Sequence, residues 1–111
     1  MSAETLISKY EALLRQRPND ELLLFSLGKA LYDAGRFSEA ETRLAAALKA
    51  KPGWMVVTML LARLALQRND SAAARAHYES ALKLAIDQEH ETPEQEIRAA
   101  LAKLDGTGVQ T

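Results

Sequence analysis

One spacing constrains this chain more than any other feature: similar residues recur 34 positions apart. Pro18 and Pro52 have this separation, and each ends a stretch of strong helix formers. The same offset relates further pairs of identical residues, namely Leu27 and Leu61, Ala40 and Ala74, Ala47 and Ala81, Leu48 and Leu82, and Lys49 and Lys83. A helix of about 14 residues, a turn, a second helix and a second turn fill such a period. The spacing therefore predicts tandem helical hairpins.

Prolines, glycines and capping residues divide the 111 residues into six helical segments. No stretch alternates β-branched or aromatic residues with polar ones, so no strand is predicted. Asn19-Asp20 offers an N-cap for the second helix, Gly35 is a predicted C-cap, and Thr92 with Pro93 is a predicted helix start. The predicted helices cover approximately residues 3–17, 20–34, 37–50, 54–68, 71–86 and 93–104. In the first of them the predicted apolar face is formed by Leu6, Tyr10, Leu13 and Leu14.

Composition excludes several classes of protein. The net charge of −1 gives no sign of nucleic-acid binding or of binding to an anionic membrane. The absence of cysteine excludes disulfides and thiolate metal sites and is compatible with a reducing compartment. The N-terminal residues lack the features of a secretory signal, and the longest apolar stretch is too short to span a bilayer. We therefore expect a cytoplasmic protein.

Motifs for catalysis and metal binding are lacking in the sequence. The two histidines, His77 and His90, are 13 residues apart and belong to no metal-ligand pattern. His77 is predicted to lie on the surface of the fifth helix and His90 in a polar connection. No nucleophile motif and no glycine-rich phosphate loop is present. We predict that the protein is not an enzyme and has no catalytic residues, metal or cofactor.

The segment 27–40, LGKALYDAGRFSEA, resembles the tetratricopeptide repeat (TPR) family. In that family a large residue and then Leu-Gly lie on the first helix, Tyr follows, Gly closes the turn, and an aromatic residue and Ala open the second helix. In this chain those places are taken by Leu24, Leu27, Gly28, Tyr32, Gly35, Phe37 and Ala40, and the unit is completed by Leu44, Ala47 and Pro52. The next unit is degenerate: Thr58, Asn69 and Ile86 replace a large residue, the turn glycine and the proline.

The resemblance implies an all-α fold, a right-handed TPR-like α-α superhelix of about six antiparallel helices. Residues 1–104 are predicted to form a single domain with a half repeat (3–20), a repeat (21–54), a degenerate repeat (55–86) and a capping helix (93–104), followed by a flexible tail (105–111). Small residues are expected where helices cross closely, at Gly28, Ala40, Ala47, Ala62, Ala74 and Ala81. The alternative is an unrelated bundle of four to six helices, which does not require the 34-residue register.

In TPR proteins the first helix of each hairpin lines a concave groove in which partners bind. Carried onto this sequence, the resemblance places Leu22, Phe25, Lys29 and Tyr32 (or its neighbour Asp33) on the second helix, and Val56, Met59, Arg63 and Leu66 on the fourth. This apolar strip with two cations suits a peptide or partner helix that carries an acidic group. The alternative is a structural or self-associating protein whose strip is covered by its own sixth helix or by a second copy.

Two further expectations concern single sites. Some TPR domains clamp the C-terminal carboxylate of chaperone peptides with Lys, Asn and Arg side chains. The matching places here include Phe25, Lys29, Val56 and Leu60, so that clamp is not predicted. Trp54 follows the Pro-Gly turn and is expected to pack against the end of the third helix, with ligand stacking as the alternative.

Overall fold

The computed structural model describes residues 2–89 and 91–105, and all regular structure in this part of the chain is α-helical. The helices are α1 (Ala3–Gln16), α2 (Glu21–Asp33), α3 (Phe37–Ala50), α4 (Met55–Gln67), α5 (Ser71–Asp87) and α6 (Glu91–Leu104). The predicted all-α class and its six helices are confirmed, and every end lies within two residues of its expected position. His90 and residues 106–111 of the predicted tail lie outside the described residues.

Side-chain caps begin α1, α2 and α5. The Ser2 hydroxyl accepts a hydrogen bond from the backbone N–H of Thr5 (3.2 Å) at the start of α1. Asp20 does the same for Leu23 in α2, and Asp70 for Ala73 in α5, both at 3.0 Å. Each bond satisfies an N–H that has no partner within its helix. The α6 helix begins at Glu91, so the predicted cap residue Thr92 lies inside its first turn.

The turns after α2 and α4 have the same backbone geometry although their residues differ. Gly35 and Asn69 both adopt left-handed conformations, with φ of 78° and 61°. The N–H of the following residue donates back to a helix carbonyl in each turn, Arg36 to Leu31 (2.9 Å) and Asp70 to Ala65 (2.8 Å). These bonds define Schellman motifs, which close a helix at a residue of positive φ. Asn is among the few non-glycine residues that tolerate this conformation, so the substitution preserves the turn.

The Gly35 turn permits a prediction that separates backbone strain from packing. No heavy atom lies within 4 Å of a Cβ built on Gly35, so a side chain there meets no steric obstacle. Gly35→Ala is therefore expected to destabilise the protein by about 1–2 kcal/mol through backbone strain alone. Gly35→Asn is the control and should cost clearly less, because Asn69 adopts the equivalent conformation. Urea denaturation followed by circular dichroism measures both, and equal losses would contradict the explanation.

The chain forms two compact units, Met1–Val57 and Thr58–Thr111. In the first unit α1 and α3 both pack against α2. Ile7 is the fully buried side chain of α1, whereas three members of its predicted apolar face, Leu6, Tyr10 and Leu13, are only half-buried. The remaining core of this unit consists of Leu14, Leu24, Leu27, Leu31, Ala40, Leu44, Ala47 and Val57.

A glycine permits the close approach of α2 and α3. A Cβ built on Gly28 would lie 2.6 Å from Cγ and 2.7 Å from Cδ2 of Leu44, well inside van der Waals contact. Leu44 is fully buried, so its side chain has no free space into which to retreat. This contact explains why glycine occupies position 28, as the repeat pattern predicts.

In the second unit α5 packs against α6. Among residues 93–104, the part of α6 whose side chains are described, Ile97 alone is fully buried. This side chain therefore anchors the helix. Three of the small residues predicted for helix crossings, Ala62, Ala74 and Ala81, have no exposed surface. The rest of this core consists of Leu60, Leu61, Leu64, Ala65, Tyr78 and Ala85, with Thr58 as a buried polar residue.

Candidate partner-binding surface

The predicted surface residues of α2 share one face of the helix. Leu22, Phe25, Lys29 and Tyr32 are separated by three or four residues, and this spacing places them along a single stripe. Leu22 is 63% exposed, while Phe25 and Tyr32 are half-buried. The α2 face therefore presents a leucine at its N-terminal end and two half-buried aromatic side chains beyond it.

Lys29, the cation of the α2 face, forms an ion pair within its own helix. Lys29 Nζ lies 2.8 Å from Oδ2 and 3.0 Å from Oδ1 of Asp33, one turn further along α2. Both side chains are well exposed, so the pair contributes only about 0.3–0.5 kcal/mol. An acidic ligand would displace Asp33 at little cost, but it would not meet an isolated positive charge at Lys29.

Aromatic contacts hold the two rings of the α2 face in place. The ring centroids of Phe25 and Trp54 are 4.9 Å apart, and Lys51 Nζ lies 4.7 Å from the Trp54 ring centroid. Since Lys51 is the C-cap residue of α3, Trp54 contacts the end of that helix as predicted, and Phe25 is an additional partner. Tyr32 meets Phe37 edge-to-face, with centroids 5.6 Å apart. Both geometries are favourable for aromatic pairs.

The equivalent residues of α4 also follow a helical stripe. Val56, Met59, Arg63 and Leu66 occur 34 positions after their α2 counterparts. Val56 is 50% exposed and Leu66 40% exposed, Arg63 is exposed, and Met59 is half-buried. Within the part of the chain that the structure describes, Arg63 forms no hydrogen bond or ion pair. The α4 face thus carries a free cation among exposed apolar side chains.

A pocket of about 490 Å³ opens beside Leu66 in the second unit. Tyr78 of α5 forms its buried wall, and α6 supplies the rest through Glu96, Ala99, Ala100, Lys103 and Leu104. Its volume lies within the range of about 300–1,000 Å³ that is typical of ligand pockets. From the sequence, α6 is predicted as a capping helix or as a cover of the apolar strip, and not as the wall of a pocket, although the spacing of Glu96, Ala100 and Lys103 already indicates a shared helix face.

The described residues offer no arrangement for metal binding. In 2–89 and 91–105 no three His, Cys, Asp or Glu side chains are grouped so that they would hold a metal ion. His77 is half-buried rather than fully on the surface, so its predicted position is only partly correct. Among the helices described, none has the length and apolar character required to span a membrane.

Trp54 is the single tryptophan, so its fluorescence reports on the α2 face. Phe25→Ala is expected to shift Trp54 emission to longer wavelength, because removal of the neighbouring ring admits water to the indole. The lost aromatic pair also removes ~0.5–1.5 kcal/mol beyond the lost burial. Leu22→Ala, on the same helix face, is the control and should leave the spectrum unchanged. An unaltered Phe25→Ala spectrum in the folded protein would show that this ring contact does not persist in solution.

Comparison with known proteins identifies relatives for the whole of this architecture. A family model described as tetratricopeptide repeat matches residues 7–53 and again residues 25–89. The chain is also similar to the TPR repeat-containing protein PA0015 of Pseudomonas aeruginosa PAO1. The two are 30% identical over 100 residues, which make up 90% of this chain and 95% of that protein.

Solved structures share this fold. The type III secretion translocator chaperone SycD of Yersinia enterocolitica matches with a TM-score of 0.88 at 16% identity, over 97% of this chain and 75% of SycD. PcrH, in complex with the chaperone binding region of PopD, matches with a TM-score of 0.86 at 20% identity, over 96% of this chain and 80% of PcrH. At these identities the likeness shows the fold.

Proposed function

The chain belongs to the tetratricopeptide repeat family, and from this premise we propose that it is a protein-interaction module that binds a peptide or a helix of a partner protein. A structural neighbour with the same fold, PcrH, binds a segment of another protein. The proposed role is binding rather than catalysis. We place the contact surface on the α2 face (Leu22, Phe25, Lys29, Tyr32) and the α4 face (Val56, Met59, Arg63, Leu66).

The distribution of exposed apolar side chains carries this proposal. In the described part of the chain, four large apolar residues are exposed, namely Leu22, Val56, Leu66 and Ile86. Three of the four belong to the α2 and α4 faces. Exposed apolar side chains that recur at equivalent repeat positions are unfavourable in water, and they are expected where a partner covers them.

The chemistry of the two faces suits an amphipathic partner segment. Apolar side chains of the partner would cover Leu22, Val56 and the pocket beside Leu66. Arg63 and Lys103 supply cations near these apolar surfaces, while Glu96 supplies an anion. We therefore propose a segment whose apolar residues alternate with acidic ones and which carries one basic group opposite Glu96.

A second candidate is self-association, in which the same faces are covered by another copy or by the chain's own α6. The exposure of Leu66 argues against α6 as the cover, since this residue remains 40% exposed in the unit that contains α6. The experiment below therefore distinguishes binding to a second copy from binding to a different partner.

Affinity capture from native lysate with matched variants tests the proposal. The triple variant Leu22→Glu, Val56→Glu, Leu66→Glu should lose the captured partner, because three charges would have to be desolvated in the interface. Ile86→Glu is the control, since this residue is equally apolar and exposed but lies outside both faces. Circular dichroism confirms that each variant is folded.

Light scattering over a range of concentrations separates the two candidates. A monomer that captures a partner in the wild type and the Ile86→Glu form supports the interaction module. A concentration-dependent dimer that dissociates in the triple variant would establish self-association instead. Capture by the folded triple variant at wild-type level would refute the proposed surface.

A further inference from the structure

A second cleft opens in the first unit on a surface formed by α1 and α3. Both helices pack against α2, and they leave two adjoining depressions of about 410 and 270 Å³. Glu11 and Arg43 line both depressions, so the two lie side by side, and together they are called the cleft. Leu31 of α2 contributes to its lining. None of these residues belongs to the α2 and α4 faces described above.

The charges near one end of the cleft are internally paired. Arg36 Nη1 lies 2.9 Å from a carboxylate oxygen of Glu4, and Arg36 donates through Nε and Nη2 to the two oxygens of Glu39 at 2.9 and 2.7 Å. Hydrogen bonding from Arg36 holds the pKa of the Glu39 carboxyl below its ordinary value. This network ties the starts of α1 and α3 together.

The other end of the cleft carries two arginines outside this network, although the charge of Arg43 helps to lower the pKa of the Glu39 carboxyl. Arg15 of α1 and Arg43 of α3 line the same 410 Å³ depression, together with Leu14, Pro18 and Glu11. Within residues 2–89 and 91–105 neither arginine forms a hydrogen bond or an ion pair. Arg43 is half-buried as a residue, and Arg15 is exposed. Two like charges that line the same depression repel each other, and a bound anion relieves that repulsion.

We propose that this cleft is a second binding site, which takes the side-chain carboxylate of an acidic segment in a partner protein. Two guanidinium groups present planar forks of N–H donors that match the two oxygens of a carboxylate. Leu14, Pro18 and Leu31 supply apolar contacts for the residues on either side of the acidic one. The two depressions lie side by side, which suits a segment that runs from one to the other.

The charge balance of the 410 Å³ depression favours a carboxylate over a phosphate. Glu11 contributes a negative charge to this depression beside Arg15 and Arg43, so these three groups sum to one positive charge. A monoanion neutralises that charge, whereas a phosphate group near its second pKa carries about −1.5 to −2 and is repelled by Glu11. Removal of the Glu11 charge is therefore expected to strengthen anion binding.

NMR titration of the full chain tests the site with defined probes. Three probes are peptides: a blocked hexapeptide of Leu and Ala with one central Glu, the same peptide with Gln, and the Gln peptide with a free C-terminal carboxylate. The fourth probe is inorganic phosphate, at equal ionic strength. We expect saturable shifts of the Arg15 and Arg43 side-chain Nε–Hε signals with the Glu peptide and weaker responses to the other three. Equal binding of the Gln peptide, or tighter binding of phosphate or of the free C-terminus, would overturn the proposal.

Variants assign the binding to the cleft. Arg15→Gln and Arg43→Gln should each weaken Glu-peptide affinity about tenfold, the loss expected for one charged hydrogen-bonding partner. Arg43→Lys keeps the charge but loses the planar fork of N–H donors, so its affinity should lie below that of the wild type and above that of Arg43→Gln. If Arg43→Gln proves unfolded, Arg43→Lys takes its place in the test. Glu11→Gln should raise the affinity. Arg98→Gln, in the second unit, makes the same change in net charge and should have no effect; an equal loss there would show that the interaction is non-specific.

Discussion

Gly28→Val is expected to destabilise the first unit by about 1–3 kcal/mol or more, because its side chain overlaps Leu44 at the α2–α3 crossing. The first added carbon alone would lie 2.6 Å from Leu44 Cγ. Leu44 is completely buried, so relief requires the two helices to move apart. The better helix propensity of Val offsets only a few tenths of a kcal/mol of this loss. Urea denaturation followed by circular dichroism measures the change.

A double-mutant cycle shows whether the Leu44 contact is the cause. Leu44→Ala alone should cost about 2–5 kcal/mol, since it leaves a cavity in the core. Combined with Gly28→Val, it should cost distinctly less than the sum of the two single losses, because the valine fills part of the space that Leu44 vacates. Additive losses would show that the effect of the valine arises elsewhere than at Leu44.

Ile97→Ala is expected to release α6 from the second unit and to cost about 2–5 kcal/mol. This side chain is fully buried, and the other described side chains of α6 are half-buried or exposed. Without it, α6 retains little buried apolar surface, and an isolated helix of this length is marginal in water. Hydrogen exchange should therefore show loss of protection across α6 at conditions where α5 is still protected.

The neighbouring residue provides the control for Ile97. Arg98 is exposed and pairs with Glu94 within α6 at 3.0 Å, so Arg98→Ala should change stability by no more than about 0.5 kcal/mol. If Ile97→Ala leaves the protection of α6 intact, another contact holds this helix. The same variant also tests the pocket beside Leu66, since release of α6 removes most of its lining.

The helices and their turns were predictable because local signals determine them. Asp20 caps α2 as the sequence suggests, and the 34-residue register relates Asn69 to Gly35 even though the residue type has changed. A positive φ is required at this point of the hairpin, and asparagine satisfies it. The periodic small residues likewise predict close crossings, and Gly28 shows one directly.

Tertiary contacts determine the features that the sequence did not predict. In α1 the helical period permits several apolar faces, and only the packing of the first unit buries Ile7 in preference to Tyr10 and Leu13. On the candidate surface, the pairing of Lys29 with Asp33 leaves less free charge than expected. The pocket beside Leu66 is lined by residues of α4, α5 and α6, so the residue spacing within any one helix does not predict it.

The matched turns at Gly35 and Asn69 have a consequence for how such a chain changes length. Each turn ends one helix with the same two hydrogen bonds and starts the next helix within two residues. Residues 36–69 therefore form a unit that can be repeated. A tandem duplication would join Asn69 to a second Arg36, and this junction would use the same type of turn as Gly35 and Arg36. The protein can therefore gain or lose whole 34-residue units during evolution without a new type of turn.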